Sequence, residues 1–308
     1  MRFIFTLLLC LWFGPASAQW SEGRGWLTGA GWLPLAQAPG GGCSQATTFL
    51  ARTSGLSGTE TTAYTNLICG LVTDGIITGS MSGANSGAGA CGLTLDALYI
   101  FATNTTTTAA LNLCGTSYSL ITHGTITFSA DHGYTGNGTT GYLDPVFVPS
   151  TVTTPNFVQN SASVGGYILN SRASGSGNAG AIVGAGNTVF VLLLPLDSSN
   201  RIQYDMNLNA TIVVANTNAQ GFLVSTRTSS VLTSVYRNGN TTPVGTDTTA
   251  SAGVSTDSIT IAAVDGASNF SSDQISAVFI GAGLSSASMQ LISNRVNAYM
   301  TALSINVY

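Results

Sequence analysis

Leu95-Asp96-Ala97-Leu98-Tyr99-Ile100-Phe101 is a compact apolar run of strand length that closes on three bulky residues. Short runs of this kind, rich in aromatic and β-branched side chains, read as buried strands. Working outward, Ile121 to Phe128 alternates and is rich in Thr and Ile, and Gly141 to Phe147 is a further strand. Val189 to Leu194 is the most apolar segment and ends at Pro195. Arg201 to Met206 and Ala210 to Ala215 alternate, and Gly221 to Arg227 reads as a strand. Val231 to Tyr236 leads into Asn238-Gly239, a two-residue hairpin signal because both positions tolerate positive φ. Ser258 to Val264 and Ser276 to Ile280 complete the set. Many short strands separated by Gly, Asn and Ser turns predict an all-β, two-sheet antiparallel sandwich rather than a parallel α/β fold.

A leading helix and a C-terminal helix flank these strands. Ser57-Gly58-Thr59-Glu60 has the spacing of a capping box, where the hydroxyl and the carboxylate each satisfy an orphan backbone N–H. Tyr64, Leu67, Ile68 and Leu71 follow on one helical face, with Gly75 near the stop. At the other end Ser285 or Ser286 caps a helix whose stripe is Met289, Ile292, Val296, Tyr299, Met300 and Leu303. That helix is expected to cover a sheet edge or one end of the sandwich. Gly79 to Gly92, nearly all Gly, Ser, Ala and Asn, reads as a loop.

Charged residues are 6% of the chain, and it has no lysine and only two glutamates, Glu22 and Glu60. Lysine and glutamate favour helices, whereas threonine and valine favour strands, so the imbalance points to β structure. With 44% hydrophobic residues and a net charge of −4 the chain is not of disordered composition. Eight scattered arginines cannot neutralise a row of phosphates, which excludes a nucleic-acid partner.

Met1 to Phe13, with one positive charge and an apolar core, leads to Ala16-Ser17-Ala18 and reads as a secretory signal peptide. A secreted or periplasmic protein starting at Gln19 is expected. No segment reaches the ~20 apolar residues that a transmembrane helix requires. The layout is then residues 1–18 signal peptide, 19–45 a Trp/Gly/Pro-rich arm, 46–92 helix and loop, and 93–308 sandwich with closing helix. Trp20, Trp26 and Trp32 in the arm are expected to pack on their own domain, near the leading helix and held by Cys43. Self-association through the arm is the alternative. Cys43, Cys69, Cys91 and Cys114 read as two disulfides in an exported protein. Of the three pairings, Cys69–Cys91 with Cys43–Cys114 is favoured, the first closing the glycine-rich insert and the second tying the leading segment to the sandwich.

Three stretches carry a resemblance: Leu95 to Phe101, Ala109-Ala110-Leu111-Asn112-Leu113, and the run Ile126 to Asp144 with its G-Y-T-G-x-G-x-x-x-Y-L block. Together they resemble the opening of a concanavalin A-like, laminin-G-like jelly roll found in alphaproteobacteria and their phages and prophages. Val235-Tyr236-Arg237-Asn238-Gly239 is similar to that family's late hairpin, and Phe279 to Ser285 with the terminal helix to its ending. The resemblance spans about Ala51 to Leu303 and implies a jelly-roll sandwich with a role in carbohydrate or surface binding. The tryptophan arm and the cysteines lie outside it.

A glycosidase needs two carboxyl groups flanking the scissile bond. Glu22 lies in the arm and Glu60 at a helix start, while the aspartates are spread singly beside turn residues. No serine or cysteine sits in a nucleophile elbow for His123 or His132. The expectation is therefore not an enzyme but a non-catalytic surface or glycan-binding, lectin-like module. A structural, decoration or adhesion protein of a virion or cell surface is the alternative, and a glycoside hydrolase of the same fold the second. Tyr134, Asn137, Tyr236, Arg237 and Asn238 supply aromatic faces and amide or guanidinium donors for a saccharide. Asp131, Asn137 and Asp144 offer oxygens to calcium, the one cofactor considered.

Overall fold

The computed structural model describes residues 42–83, 91–170, 180–186 and 188–308. The signal peptide, the tryptophans of the arm and 84–90 of the glycine-rich loop lie outside the described residues. The described chain opens with helices α1 (Ser44–Leu50) and α2 (Gly58–Thr73). Strand β1 (Leu95–Ile100), the short helix α3 (Thr106–Ala109), β2 (Ile121–His123), β3 (Ile126–Ser129), β4 (Gly133–Gly136) and β5 (Tyr142–Asp144) follow. Then come β6 (Ala162–Ile168), β7 (Val183–Ala185), β8 (Phe190–Leu193), β9 (Arg201–Gln203), β10 (Met206–Leu208) and β11 (Val213–Ala215). The chain ends with β12 (Gly221–Ser229), β13 (Leu232–Arg237), β14 (Gly245–Asp247), β15 (Thr260–Ile261), β16 (Gln274–Gly281) and helix α4 (Ser286–Ala302).

These strands form an antiparallel jelly-roll sandwich. The large sheet runs β14-β13-β12-β6-β16-β4-β3, with β1 sharing the β16 edge. The smaller sheet runs β10-β8-β7-β15-β5-β2, and β9 and β11 form a separate ribbon. Ala97, Tyr99, Val164, Ile168, Leu223 and Val278 of the large sheet meet Val183, Val191, Leu193 and Ile261 of the smaller one. The opposite face of the large sheet carries Leu98, Ile100, Tyr167, Phe222 and Phe279, packed on Tyr64, Leu67 and Leu71 of α2 and Ile292, Val296 and Tyr299 of α4. The quoted run therefore splits by alternation, Leu98 and Ile100 to the helices and Tyr99 and Phe101 to the second sheet.

Helix α2 starts as its sequence dictates. Ser57 Oγ accepts from Glu60 N at 3.1 Å, and Glu60 Oε2 accepts from Ser57 N at 2.8 Å. The same buried carboxylate reaches the sandwich, its Oε1 accepting from Thr103 Oγ1 at 2.9 Å and Asn104 N at 2.7 Å. Helix α4 does not cover an edge: it lies beside α2 on the open face of the large sheet, tied by Arg295 to Asp74 at 2.8 Å. An edge position would have left the ring face of Phe222 and Phe279 in water.

Further sequence expectations are corrected. The bridges are Cys43–Cys69 and Cys91–Cys114, with Cα separations of 5.5 and 4.8 Å, not Cys69–Cys91 and Cys43–Cys114. Cys43 immediately precedes α1, which packs along α2, so Cys69 is the cysteine within its reach. Cys114 follows Leu113, whose N–H donates to Leu98 O and lays that segment along β1, beside Cys91. Ile121 to Phe128 is not one strand: at Gly124, with φ +58°, the chain turns a corner, so β2 joins the smaller sheet and β3 the large one. Asn238-Gly239 turns with φ of +55° and +70°, but ladder pairing resumes only at Val235 with Gly245. The loop is held open because Asn238 Oδ1 accepts from Phe222 N at 2.9 Å and Gly239 abuts Ser293 and Asn294 of α4.

Candidate functional site

Each residue expected to bind a saccharide makes contacts within the fold. Tyr134, 5% exposed, sits in the inter-sheet core with ring centroids 5.4 Å from Phe101 and 5.1 Å from Phe128. Asn137 Oδ1 gathers the N–H groups of Thr139, Thr140 and Gly141 at 3.0, 2.9 and 2.9 Å and so fixes the β4–β5 turn. Tyr236 is buried in the core under the helices. Arg237 donates to the carbonyls of Gln220 and Asn218, and burial lowers its pKa. Asn238 is the hinge of the loop described above.

The structure does not bring Asp131, Asn137 and Asp144 together. Asp131 precedes β4 and Asn137 follows it, and a strand of that length spans about 13 Å. Asp144 lies on β5 in the other sheet. A calcium ion needs its oxygens within 2.3–2.6 Å, so these three cannot share one. Among the described residues, no three His, Cys, Asp or Glu side chains are grouped to hold a metal.

A different constellation emerges on the outer face of the smaller sheet. Leu143 points into the sandwich, so its neighbours Tyr142 and Asp144 face outward. The β2–β5 register sets His123 opposite Tyr142 and Ile121 opposite Asp144. The imidazole lies flat on the Tyr142 ring, centroids 4.5 Å apart and 6° between planes, and Phe270 leans on it at 6.3 Å. His123 Nε2 is buried and has no hydrogen-bond partner among the described residues. Gly266, with φ +64°, lies directly against the hydroxyl end of Tyr142, where any Cβ would strike the ring. Asp144 Oδ1 accepts from Val146 N and from Ser258 Oγ, both at 2.7 Å, and its Oδ2 has no partner among the described residues. Ile121 and Val146 beside them are 50% and 54% exposed.

The backbone around this face is strained. Val146, just beyond β5, has φ +55°, and Ala262, just beyond β15, has φ +67°. Asp265 and Asn269 in the following loop also have positive φ. A β-branched residue in the left-handed region costs about 1–3 kcal/mol, and such strain concentrates at functional sites. Burial raises the Asp265 carboxyl above the usual range; the Gly186 N–H opposes this and Asp257 adds to it. Sequence reading weighed His123 only as a base and Tyr142 as a core residue, and did not group them with Phe270, because the three come from separated segments that only the fold brings together. The usable signal was the outward pairing of Tyr142 with Asp144 around an inward Leu143.

The fold and this face define an all-β sandwich of two antiparallel sheets backed by a helical layer. No family model and no curated protein matches the chain. Among solved structures it is similar to domain 4 of AbnA, a GH43 extracellular arabinanase from Geobacillus stearothermophilus in complex with arabinotriose, with 14% identity and a TM-score of 0.42 over 64% of this chain and 97% of that one. A mutant Trypanosoma rangeli sialidase with trans-sialidase activity gives 14% identity and a TM-score of 0.45 over 76% of this chain and 39% of that one. The botulinum neurotoxin serotype D binding domain gives 12% identity and a TM-score of 0.44 over 65% and 50%.

Proposed function

We propose that this chain is an exported, non-catalytic glycan-binding module of laminin-G-like type, and that the outer face of the smaller sheet receives the saccharide. The observation that carries this reading is the partly buried His123–Tyr142–Phe270 aromatic group beside a carboxylate with one oxygen open to an incoming hydroxyl. Saccharides pair C–H faces with aromatic rings and hydroxyls with carboxylate or amide groups, so ring and acceptor side by side suit them. Two disulfides favour an oxidising compartment, and no described helix is long and apolar enough to cross a membrane. Asp96 and Asp205, the carboxyls pushed up to about 6 by burial, hold backbone amides in the interior and are not on the open face.

A glycan array probed with wild type and Tyr142→Ala tests this. Binding by wild type that the variant loses is expected, with no reducing ends released from the bound glycan. Release of reducing ends would make the protein a hydrolase, and absence of binding would remove the reading.

A further inference from the structure

We propose that the Tyr142 face selects uncharged saccharides and turns away those bearing carboxylate or sulfate, an inference that rests on the glycan-binding reading above. The ring has a carboxylate beside it and further acidic residues on the adjoining loop. Asp144 stands on the same strand and the same face, two residues along, with Oδ2 unengaged among the described residues. Asp265 is joined to Gly266, whose α-carbon lies against the Tyr142 hydroxyl end, and Asp257 lies near enough to Asp265 to perturb it.

No lysine or arginine answers them among the described residues. The chain has no lysine, and the segments 121–146 and 257–274 contain no arginine. The described arginines are committed elsewhere. Arg52 donates to the carbonyls of Asn112, Leu113 and Gly115, and Arg237 to those of Asn218 and Gln220. Arg227, fully buried, donates to the carbonyls of Met206, Ser229, Ser230 and Thr249. Arg201 pairs with Asp197 at 2.7 Å and Arg295 with Asp74 at 2.8 Å. Recognition of a uronate, sialate or sulfate ester relies on a guanidinium, an ammonium or unspent N–H donors aimed at the anion. The unpartnered ring nitrogen at this site, His123 Nε2, is buried and so is not presented to a ligand. Here an anionic substituent would meet the open Asp144 oxygen instead. A neutral sugar meets an aromatic face and an open acceptor for its hydroxyl.

The test uses immobilised neutral hexose oligosaccharides and the uronic-acid oligosaccharides of the same linkage, probed with wild type, Tyr142→Ala and Asp144→Asn at low and high salt. Wild type should bind the neutral form at least about tenfold more tightly at low salt, where surface charges are least screened. Asp144→Asn, or added salt, should narrow that gap. Equal or tighter binding of the uronate by wild type, lost in Tyr142→Ala, would overturn the selectivity and leave the site standing. Binding that Tyr142→Ala does not change would remove the site itself, and the inference with it.

Discussion

The two sheets differ in what covers their outer faces, and that difference separates architecture from function. The large sheet has its outer face under α2 and α4, so β1, β6 and nearly all of β16 are buried residue by residue. The smaller sheet is covered at Leu192, Leu194 and Ala181 by Val264, and opens toward β5 and β2, where Tyr142, Asp144 and His123 are only partly buried. In the covered sheet Tyr167, Phe222 and Phe279 are buried in the core under the helices. On the open edge a stacked His–Tyr pair is held in place with surface to spare.

The largest effect is expected where the covered sheet is broken. Phe279 is fully buried between Phe222 and the helical layer, and Phe279→Ala should cost about 3–5 kcal/mol, read in a denaturant melt. A loss below about 1 kcal/mol would mean that the helices do not seal that face.

Next comes the charge buried in the covered interior. Although Asp96 accepts the N–H groups of Asn156 and Phe157, burial holds the Asp96 and Asp205 carboxyls at about 6, against an ordinary 3.8. A raised native pKa means the folded state binds the proton more tightly than the unfolded chain. The stability from these groups is fully present below about 4 and is lost as pH rises through about 6. Each contributes on the order of 3 kcal/mol, so the melting temperature should fall between about pH 4 and about pH 7.5, and Asp96→Asn should flatten the slope. A melting temperature that rises over that window would contradict the buried-carboxyl account.

A subtler break is Gly165→Ala in β6, the centre of the large sheet. Its new methyl would strike the Phe279 ring, and overpacking of this kind costs about 1–3 kcal/mol. The same glycine explains why this strand is illegible in the sequence. Ala162 to Ile168 carries Gly165-Gly166, which weaken any strand pattern, yet the pair is required because Phe279 and Ile182 fill the space of their side chains, Ile182 Cγ2 at 2.7 Å from a Cβ on Gly166. By contrast the Ser57–Glu60 capping box and the stripe of α4 are local in sequence and appear as read. The Leu95–Phe101 run also reads correctly, because burial on both faces removes polar alternation.

The candidate site was far less legible. Tyr134 and Tyr236 look like ring platforms in sequence, but alternation points them inward. Asn137 and Asn238 look like ligand amides, but Asn137 accepts the backbone N–H groups of its own turn and Asn238 accepts that of Phe222 on β12. The corner at Gly124 and the β2–β5 register that stacks His123 on Tyr142 are non-local and leave no periodic trace.

The smallest stability effect is expected on the open edge, and it belongs to the most direct test. A neutral oligosaccharide that binds wild type is titrated into Tyr142→Ala by calorimetry, with thermal melts of both proteins alongside. The open-face account predicts at least about tenfold weaker binding and a stability change under about 1 kcal/mol, since Tyr142 is only partly buried and outside the core. Unchanged affinity in Tyr142→Ala would place the ligand elsewhere and contradict the account.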